Sequence, residues 1–204
     1  MRSSRLWIFF LLAACGTTTT SLTREERERL PLDARQEIFD AENDLIIARN
    51  RADLALDQLA SVEASIDALD DIESHNEKRL GATPATSGRI SLLRKVIRAE
   101  GDYLDARHDV AEAEVAVARQ EIRIAQVRLD LVKQRQLVRI GKAPSASLKA
   151  FEQTIEEQEA KGKETRSSSL DLRTKAQRLL DAWKNSQAEY AAQTGDFDSG
   201  IWLE

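Results

Sequence analysis

The sequence predicts an all-α protein, a long antiparallel coiled coil in which three helices run up, down and up to form a rod. Three observations lead to this fold class. The 204 residues include only three prolines and 5% aromatic residues, and alanine, leucine, glutamate and arginine are abundant, which favours long helices. Apolar residues recur at alternating spacings of three and four over long stretches. Glycine and proline cluster at only two places within the helical region.

The two interruptions, at 80–88 and 140–147, divide the chain into segments of similar length. Each contains a glycine just after the last apolar residue, where a helix end prefers glycine. Ser145 or Ser147 is suited to cap the third segment. The predicted helices cover about 32–80, 84–140 and 147–192. At 1.5 Å rise per residue, a segment of this length spans about 75 Å.

The first two segments differ in the width of their apolar face. In the first, ten apolar residues follow one seam without a miss: Ile38, Ala41, Leu45, Ala48, Ala52, Ala55, Leu59, Val62, Ile66 and Leu69. In the second, two neighbouring rows recur every seven residues, one beginning at Val96 and the other at Ile97. A wider apolar arc is expected of a helix that contacts neighbours on two sides. We therefore predict that the second helix is the central one.

The third segment has apolar seams at its two ends but little to bury between them. Residues 156–169 contain mainly charged and small polar side chains. This stretch is either a solvated helix held by pairs such as Glu157 with Lys161, or a local break at Gly162. The sequence leaves both alternatives open.

The N-terminus has the three parts of a secretory signal: Arg2 and Arg5, a nine-residue apolar run over 6–14, and small residues at its end. The run is too short for a membrane span, which needs roughly 20 apolar residues. A flexible tether of small polar residues follows it. The predicted organisation is a signal peptide at 1–14, a modified cysteine and tether at 15–22, a helical domain at 23–193 and a tail at 194–204.

Leu12, Ala13, Ala14 and Cys15 resemble the lipobox of bacterial lipoproteins, and Cys15 is the only cysteine in the chain. The resemblance implies cleavage before Cys15, a lipid on its sulfur and an acyl chain on its new amino group. Together these would anchor the protein to a membrane. The next residue is Gly16 rather than the aspartate that retains such lipoproteins at the inner membrane. The family rule thus implies the outer membrane of a Gram-negative bacterium, facing the periplasm.

The charge balance argues against nucleic acid as a partner. The signal segment contains Arg2 and Arg5 and no acid, so the rest of the chain has 28 basic against 35 acidic residues, a formal charge of −7. No metal or cofactor is expected either. Asp105 and His108 have a spacing used by metal-binding bundles, but those sites need a second such motif, and none is present. We therefore expect no enzymatic activity.

Three surfaces are candidate contact sites. Arg89, Arg94 and Lys95 lie near the first interruption, where they could dock an acidic partner or pair with acids of the first helix. Arg135, Arg139 and Lys142 precede the second interruption, where they could contact anionic lipid head groups or simply suit a helix C-terminus. The tail carries an apolar group that could cap the rod or bind a partner: Phe197, Ile201, Trp202 and Leu203.

Residues 128–160 look like the helix-turn-helix of outer-membrane efflux proteins of the TolC family, in which an arginine, a glycine and a serine-led helix join long coiled-coil helices. The alternating apolar strands of a transmembrane barrel are not seen in the sequence pattern. The resemblance implies a helical accessory that packs on such coiled coils rather than a channel.

The helical pattern, taken with the outer-membrane anchor that the lipobox resemblance implies, predicts a non-enzymatic, outer-membrane-anchored periplasmic lipoprotein that acts as a structural or adaptor subunit of a cell-envelope assembly. Its partner would be an envelope protein, or a second copy joined through the coiled coil. The alternative is a periplasmic helical holdase chaperone or substrate carrier that holds unfolded clients between its helices.

Overall fold

The fold is described by a computed structural model over residues 22–80 and 87–195, with the side chains of 75–80 and 87 left out. This part of the chain contains four α-helices and no strand. The helices are α1 (Arg24–Arg29), α2 (Leu32–Leu80), α3 (Ser87–Arg139) and α4 (Ala146–Thr194). The predicted all-α class is confirmed, and the three long helices agree closely with the three predicted segments.

The short helix α1 was not predicted. Thr23 caps it, because its hydroxyl accepts from the Glu26 N–H at 3.3 Å while the Glu26 carboxylate accepts from the Thr23 N–H at 2.8 Å. Leu30, which ends α1, is buried, and Leu22 packs against the same core. The predicted tether extends to residue 22, and Leu22 is partly buried against this core.

The central position predicted for the second long helix is confirmed. Both α2 and α4 pack along α3, whereas α2 and α4 have almost no backbone contact with each other. The three helices therefore form an open layer rather than a closed bundle. One strip of α3 lies between its neighbours without being covered by either.

The core is largest at the two ends of the rod. Near α1 it contains Leu30, Ile38, Leu45 and Leu129, and at the opposite end it contains large side chains of α2, α3 and α4. Between them the contact of α2 with α3 is made mainly by alanine: Ala52, Ala55, Val115 and Ala118. Small residues let the helices approach closely but bury less apolar area per residue.

The turn between α3 and α4 follows the predicted pattern in part. Gly141 adopts the left-handed conformation, with φ of 73°, and the Lys142 N–H donates to the Leu137 carbonyl at 2.8 Å, which closes the end of α3. Ser145 stands at the N-cap of α4, but its side chain makes no capping hydrogen bond. The Ser147 hydroxyl instead donates to the Pro144 carbonyl.

α4 is continuous through 156–169, so a break at Gly162 is excluded. Gly162 is buried, and a Cβ added there would lie 3.2 Å from the Ile124 side chain. Ser169 and Ala176, seven and fourteen residues further on, are buried as well. This row of small residues brings α4 close to α3, so the middle of α4 packs without large apolar side chains.

Four ion pairs form a ladder between the antiparallel helices α3 and α4, and each rung lies seven residues from the next on both helices. On α3 the first two positions are acidic and the last two are basic, and the partner of each on α4 carries the opposite charge. The N···O distances are 2.8 Å for Glu114 with Arg173, 2.8 Å for Glu121 with Arg166, 2.6 Å for Arg128 with Glu159 and 3.7 Å for Arg135 with Glu152. A shift of one heptad in either direction would place two like charges opposite each other, so the ladder favours one register.

Candidate helix-binding groove

The open layer leaves a groove along α3 between α2 and α4. Its floor contains Val110, Val117 and Ile124, which recur every seven residues in the row that begins at Val96. All three are only partly buried, whereas Ala111, Ala118 and Ala125 in the neighbouring row are fully buried. The wide apolar arc of α3 is therefore only partly used in packing inside the monomer.

Large apolar side chains stand exposed on both walls of the groove. Ile47 and Leu54 line it from α2, with 49% and 62% of their surfaces exposed, and Leu170 lines it from α4 with 60% exposed. The α2 wall extends from Asp44 to Val62, which at 1.5 Å per residue is about 27 Å. Exposed apolar side chains aligned along a concave surface are typical of a binding site.

One carboxylate in the groove forms salt bridges with an arginine on each wall. Glu121 of α3 accepts from Arg51 of α2 at 3.3 Å and from Arg166 of α4 at 2.8 Å. Two guanidinium groups thus share one carboxylate, which leaves a local excess of positive charge. Over the central part of the groove, five cations face four acids in a chain whose formal charge is −5: Arg51, Arg128, Lys163, Arg166 and Arg173 against Asp44, Glu114, Glu121 and Glu159.

Two hydrogen bonds from one buried side chain join α3 to α4 next to the groove. The side-chain amide of Gln120, which is 5% exposed, donates to the Gln158 carbonyl at 2.8 Å and to its side-chain oxygen at 2.9 Å. Because a buried amide needs partners, this pair helps to define the spacing of α3 and α4. The groove is therefore shaped before any ligand enters.

At the first interruption, two of the predicted basic residues, Arg89 and Lys95, contact side chains of α4. Arg89 donates to the Tyr190 hydroxyl at 3.1 Å, and Lys95 forms an ion pair with Glu189. Of the two alternatives for these residues, docking of an acidic partner or pairing with acids of the first helix, the second does not hold for Lys95, because its acidic partner Glu189 lies on α4. Arg94 is exposed on the same stretch of α3.

The three cations near the second interruption each have an acidic partner within the chain. Arg139 pairs with Asp33 at 3.2 Å, Lys142 pairs with Glu26, and Arg135 forms the last rung of the ladder. Hydrogen bonds from Lys142 and from the Thr23 backbone lower the pKa of Glu26 to about 2, and the Arg139 side chain lowers the pKa of Asp33. These pairs connect α1 and the start of α2 to the α3–α4 turn. Contact with lipid head groups remains a prediction.

Two groups of predicted site residues lie outside the described part of the chain. They are the lipobox, Leu12, Ala13, Ala14 and Cys15, and the tail residues Phe197, Ile201, Trp202 and Leu203. His108 lies on α3 with its Nε2 3.9 Å from a carboxylate oxygen of Glu63. Within 22–80 and 87–195, no group of three histidine, cysteine, aspartate or glutamate side chains is arranged to hold a metal ion.

One buried carboxylate, that of Glu100, was not among the predicted site residues. Glu100 is 1% exposed and lies on the same face of α3 as the buried residues Val96, Ile97 and Leu104. Neither of its carboxylate oxygens has a hydrogen-bond partner, and burial raises its pKa to about 7. Its four-residue spacing from Val96 and Leu104 was a usable signal, because it places Glu100 within the apolar seam.

Comparison of the chain with protein-family models, with curated proteins and with solved structures found no match. None of the described helices combines the length and the apolar character that crossing a membrane requires. The function is therefore inferred from the groove and from the sequence motifs.

Proposed function

We propose that this protein is a structural adaptor of the bacterial cell envelope, anchored through lipid on Cys15 to the periplasmic face of the outer membrane, whose groove receives an amphipathic helix of a partner protein. The observation that carries the proposal is the groove itself, with exposed Ile47, Leu54 and Leu170 on its walls. The lipobox resemblance supports the location, and the lack of a family match leaves the partner to be identified by its chemistry.

A helix suits the groove better than an extended peptide. The described helices present no sheet edge to which a strand could add. A groove between two parallel walls, about 27 Å long, matches roughly 18 residues of helix. Such a helix would place apolar side chains at spacings of three and four against Val117 and the wall leucines, Leu54 and Leu170. Acidic residues on its flanks would meet the excess of arginine and lysine along the walls.

Site-specific photocrosslinking in native membranes tests the proposal. A photoreactive residue at Leu54 should give a discrete adduct with one envelope protein, and the additional substitution Leu170→Asp should remove it. The matched control is Leu56, which lies on the same helix and is 44% exposed but does not line the groove. An equal adduct from position 56, or no adduct from position 54, would contradict the groove as the binding site.

The variant Cys15→Ala separates the adaptor from the holdase. An adaptor positioned by its anchor should lose its adduct when Cys15 is replaced. A holdase should label many proteins from position 54, keep that labelling in Cys15→Ala, and suppress aggregation of an unrelated unfolded protein. The holdase is the second candidate because exposed apolar side chains occur along α2 beyond the groove as well.

A further inference from the structure

A second apolar row lies on the outer side of α2. Leu32, Phe39 and Ile46 follow one another at seven-residue intervals, with 74%, 52% and 52% of their surfaces exposed. At 100° per residue they lie roughly opposite the buried seam that contains Ala34 and Ala41. None of the three lines the groove. Packing within the chain therefore does not account for them.

The residues between them complete a second heptad pattern. Three amide residues alternate with the apolar ones at spacings of four and three: Gln36, Asn43 and Asn50. In heptad notation, the apolar residues occupy the d positions and the amides occupy the a positions. Asparagine at an a position is characteristic of parallel two-stranded coiled coils, where it specifies register and oligomeric state. An amide both donates and accepts, so it can pair with the same residue of a second copy across a two-fold axis.

The flanking charges also fit a parallel pair of identical helices. In this heptad Arg35 occupies a g position and Asp40 the following e position, and these two positions face each other across a parallel dimer. Two symmetric attractive pairs would result. Arg35 forms no ion pair with the described residues of its own chain, and Asp40 accepts only an intrahelical hydrogen bond from Gln36, at 2.8 Å. In an antiparallel pair the e positions would face each other instead. Asp33 and Asp40 both occupy e positions, so their carboxylates would repel.

We propose that α2 pairs in parallel and in register with α2 of a second copy of this chain, through the row from Leu32 to Asn50. The product is a two-fold dimer of rods with both N-termini at the same end. The α2 residues that line the groove occupy b, e and f positions of this heptad, so pairing through the a and d row does not fill the groove. The pairing does not depend on the proposed adaptor function, and its test requires no envelope partner.

Cysteine crosslinking of the full chain tests the register. Asn43→Cys should form a disulfide-linked dimer on mild oxidation, since a positions of a parallel pair bring identical residues within disulfide range. Two controls carry the same Cys15: the unchanged chain, and Gln58→Cys, an exposed amide position on the groove side of α2. If Asn43→Cys forms no more dimer than the controls, or joins residue 43 to another protein, the proposal is wrong.

Sedimentation of the same chain tests the chemistry of the contact. Ile46→Asp should weaken the dimer on the order of a hundredfold, because two buried isoleucines are lost per dimer, while Leu56→Asp should leave it unchanged. Arg35→Glu should weaken association, and the double variant with Asp40→Arg should restore it. Failure of the double variant to restore association would contradict the parallel register. Circular dichroism on each variant verifies that the helices are intact.

Discussion

At the scale of single residues, Glu100 is the clearest departure from simple packing. A carboxyl group without partners inside an apolar seam prefers its neutral form, because desolvation penalises the charge. Its pKa is accordingly raised from 4.5 to about 7. The native protein therefore holds this proton more tightly than the unfolded chain does, and the end of the rod that contains Glu100 loses stability as the proton leaves.

The predicted consequence is that the free energy of unfolding falls as pH rises from about 4.5 to 7, by on the order of 3 kcal/mol for this group alone. The sign follows from the order of deprotonation: the unfolded chain loses the proton first, so ionisation favours it. Glu100→Gln should remove this pH dependence and be more stable than the unchanged protein above pH 7. Urea unfolding at a series of pH values measures both effects.

The control for this prediction is Glu112→Gln, which removes an exposed acid from the same helix. This substitution should not change how the free energy of unfolding varies with pH between pH 4.5 and 7. The lowered pKa values of Glu26 and Asp33 affect stability at lower pH, because the stability that each group contributes is lost as pH falls below its ordinary pKa, 4.5 for Glu26 and 3.8 for Asp33. An identical pH profile for Glu100→Gln and the unchanged protein would refute the assignment.

At the scale of helices, the contact of α3 with α4 is specified by charge and by small size. Gly162 permits the close approach, and the four-rung ladder selects the register in which that glycine faces Ile124. Each exposed ion pair contributes little on its own, typically under about 1 kcal/mol. Glu121 differs from the other rungs, because its side chain is only 19% exposed and two arginines from different helices contact it.

Reversing the charge at this rung should destabilise the protein by about 1–2 kcal/mol, since Glu121→Arg places a third guanidinium beside Arg51 and Arg166. The double variant Glu121→Arg with Arg166→Glu should recover at least half of the loss. Glu112→Arg, at an exposed position of α3, serves as the matched control and should change the free energy of unfolding by less than about 0.5 kcal/mol. The single variant Arg166→Glu completes a double-mutant cycle with the unchanged protein, Glu121→Arg and the double variant, and denaturant unfolding measures all four. Complete additivity would show that the rung does not couple the helices.

At the scale of the whole molecule, the layer has two chemically different ends. The end with α1 and the α3–α4 turn is joined by ion pairs between Lys142 and Glu26 and between Arg139 and Asp33. Cys15 is seven residues before Leu22, a reach of at most about 25 Å. If Cys15 carries lipid, this end of the rod lies next to the membrane. The opposite end, near Tyr190, stands about 75 Å further away.

The lipid anchor predicts a simple change in partitioning. The unchanged protein should be found in the outer-membrane fraction, with a mass that corresponds to loss of residues 1–14 and gain of acyl chains. Cys15→Ala should be released into the soluble periplasmic fraction or retain its signal segment. Fractionation followed by intact-mass measurement decides between these states. Recovery of the unchanged protein as an unmodified chain in the soluble fraction would exclude the anchor.

Much of the fold was accessible from the sequence, because helix periodicity is a local property. The heptad seam of α2, the central place of α3 and the glycine-terminated turn at Gly141 all follow from residue spacing and backbone preference. The short helix α1 and the continuity of α4 were harder to foresee. α1 has only six residues, and the middle of α4 packs through glycine and serine, which an analysis of large apolar residues does not register.

The groove, by contrast, was decided only by the tertiary structure. Periodicity shows how wide the apolar arc of α3 is, but not which part of it the neighbouring helices cover. The covered part depends on the positions of α2 and α4 around α3. Those positions are set by the alanine contacts, the Gln120 hydrogen bond and the ion-pair ladder together. The sequence by itself determined the helices, their order and the predicted anchor. The open strip on α3 and the burial of Glu100 needed the packed helices, because exposure is a property of neighbours distant in the chain.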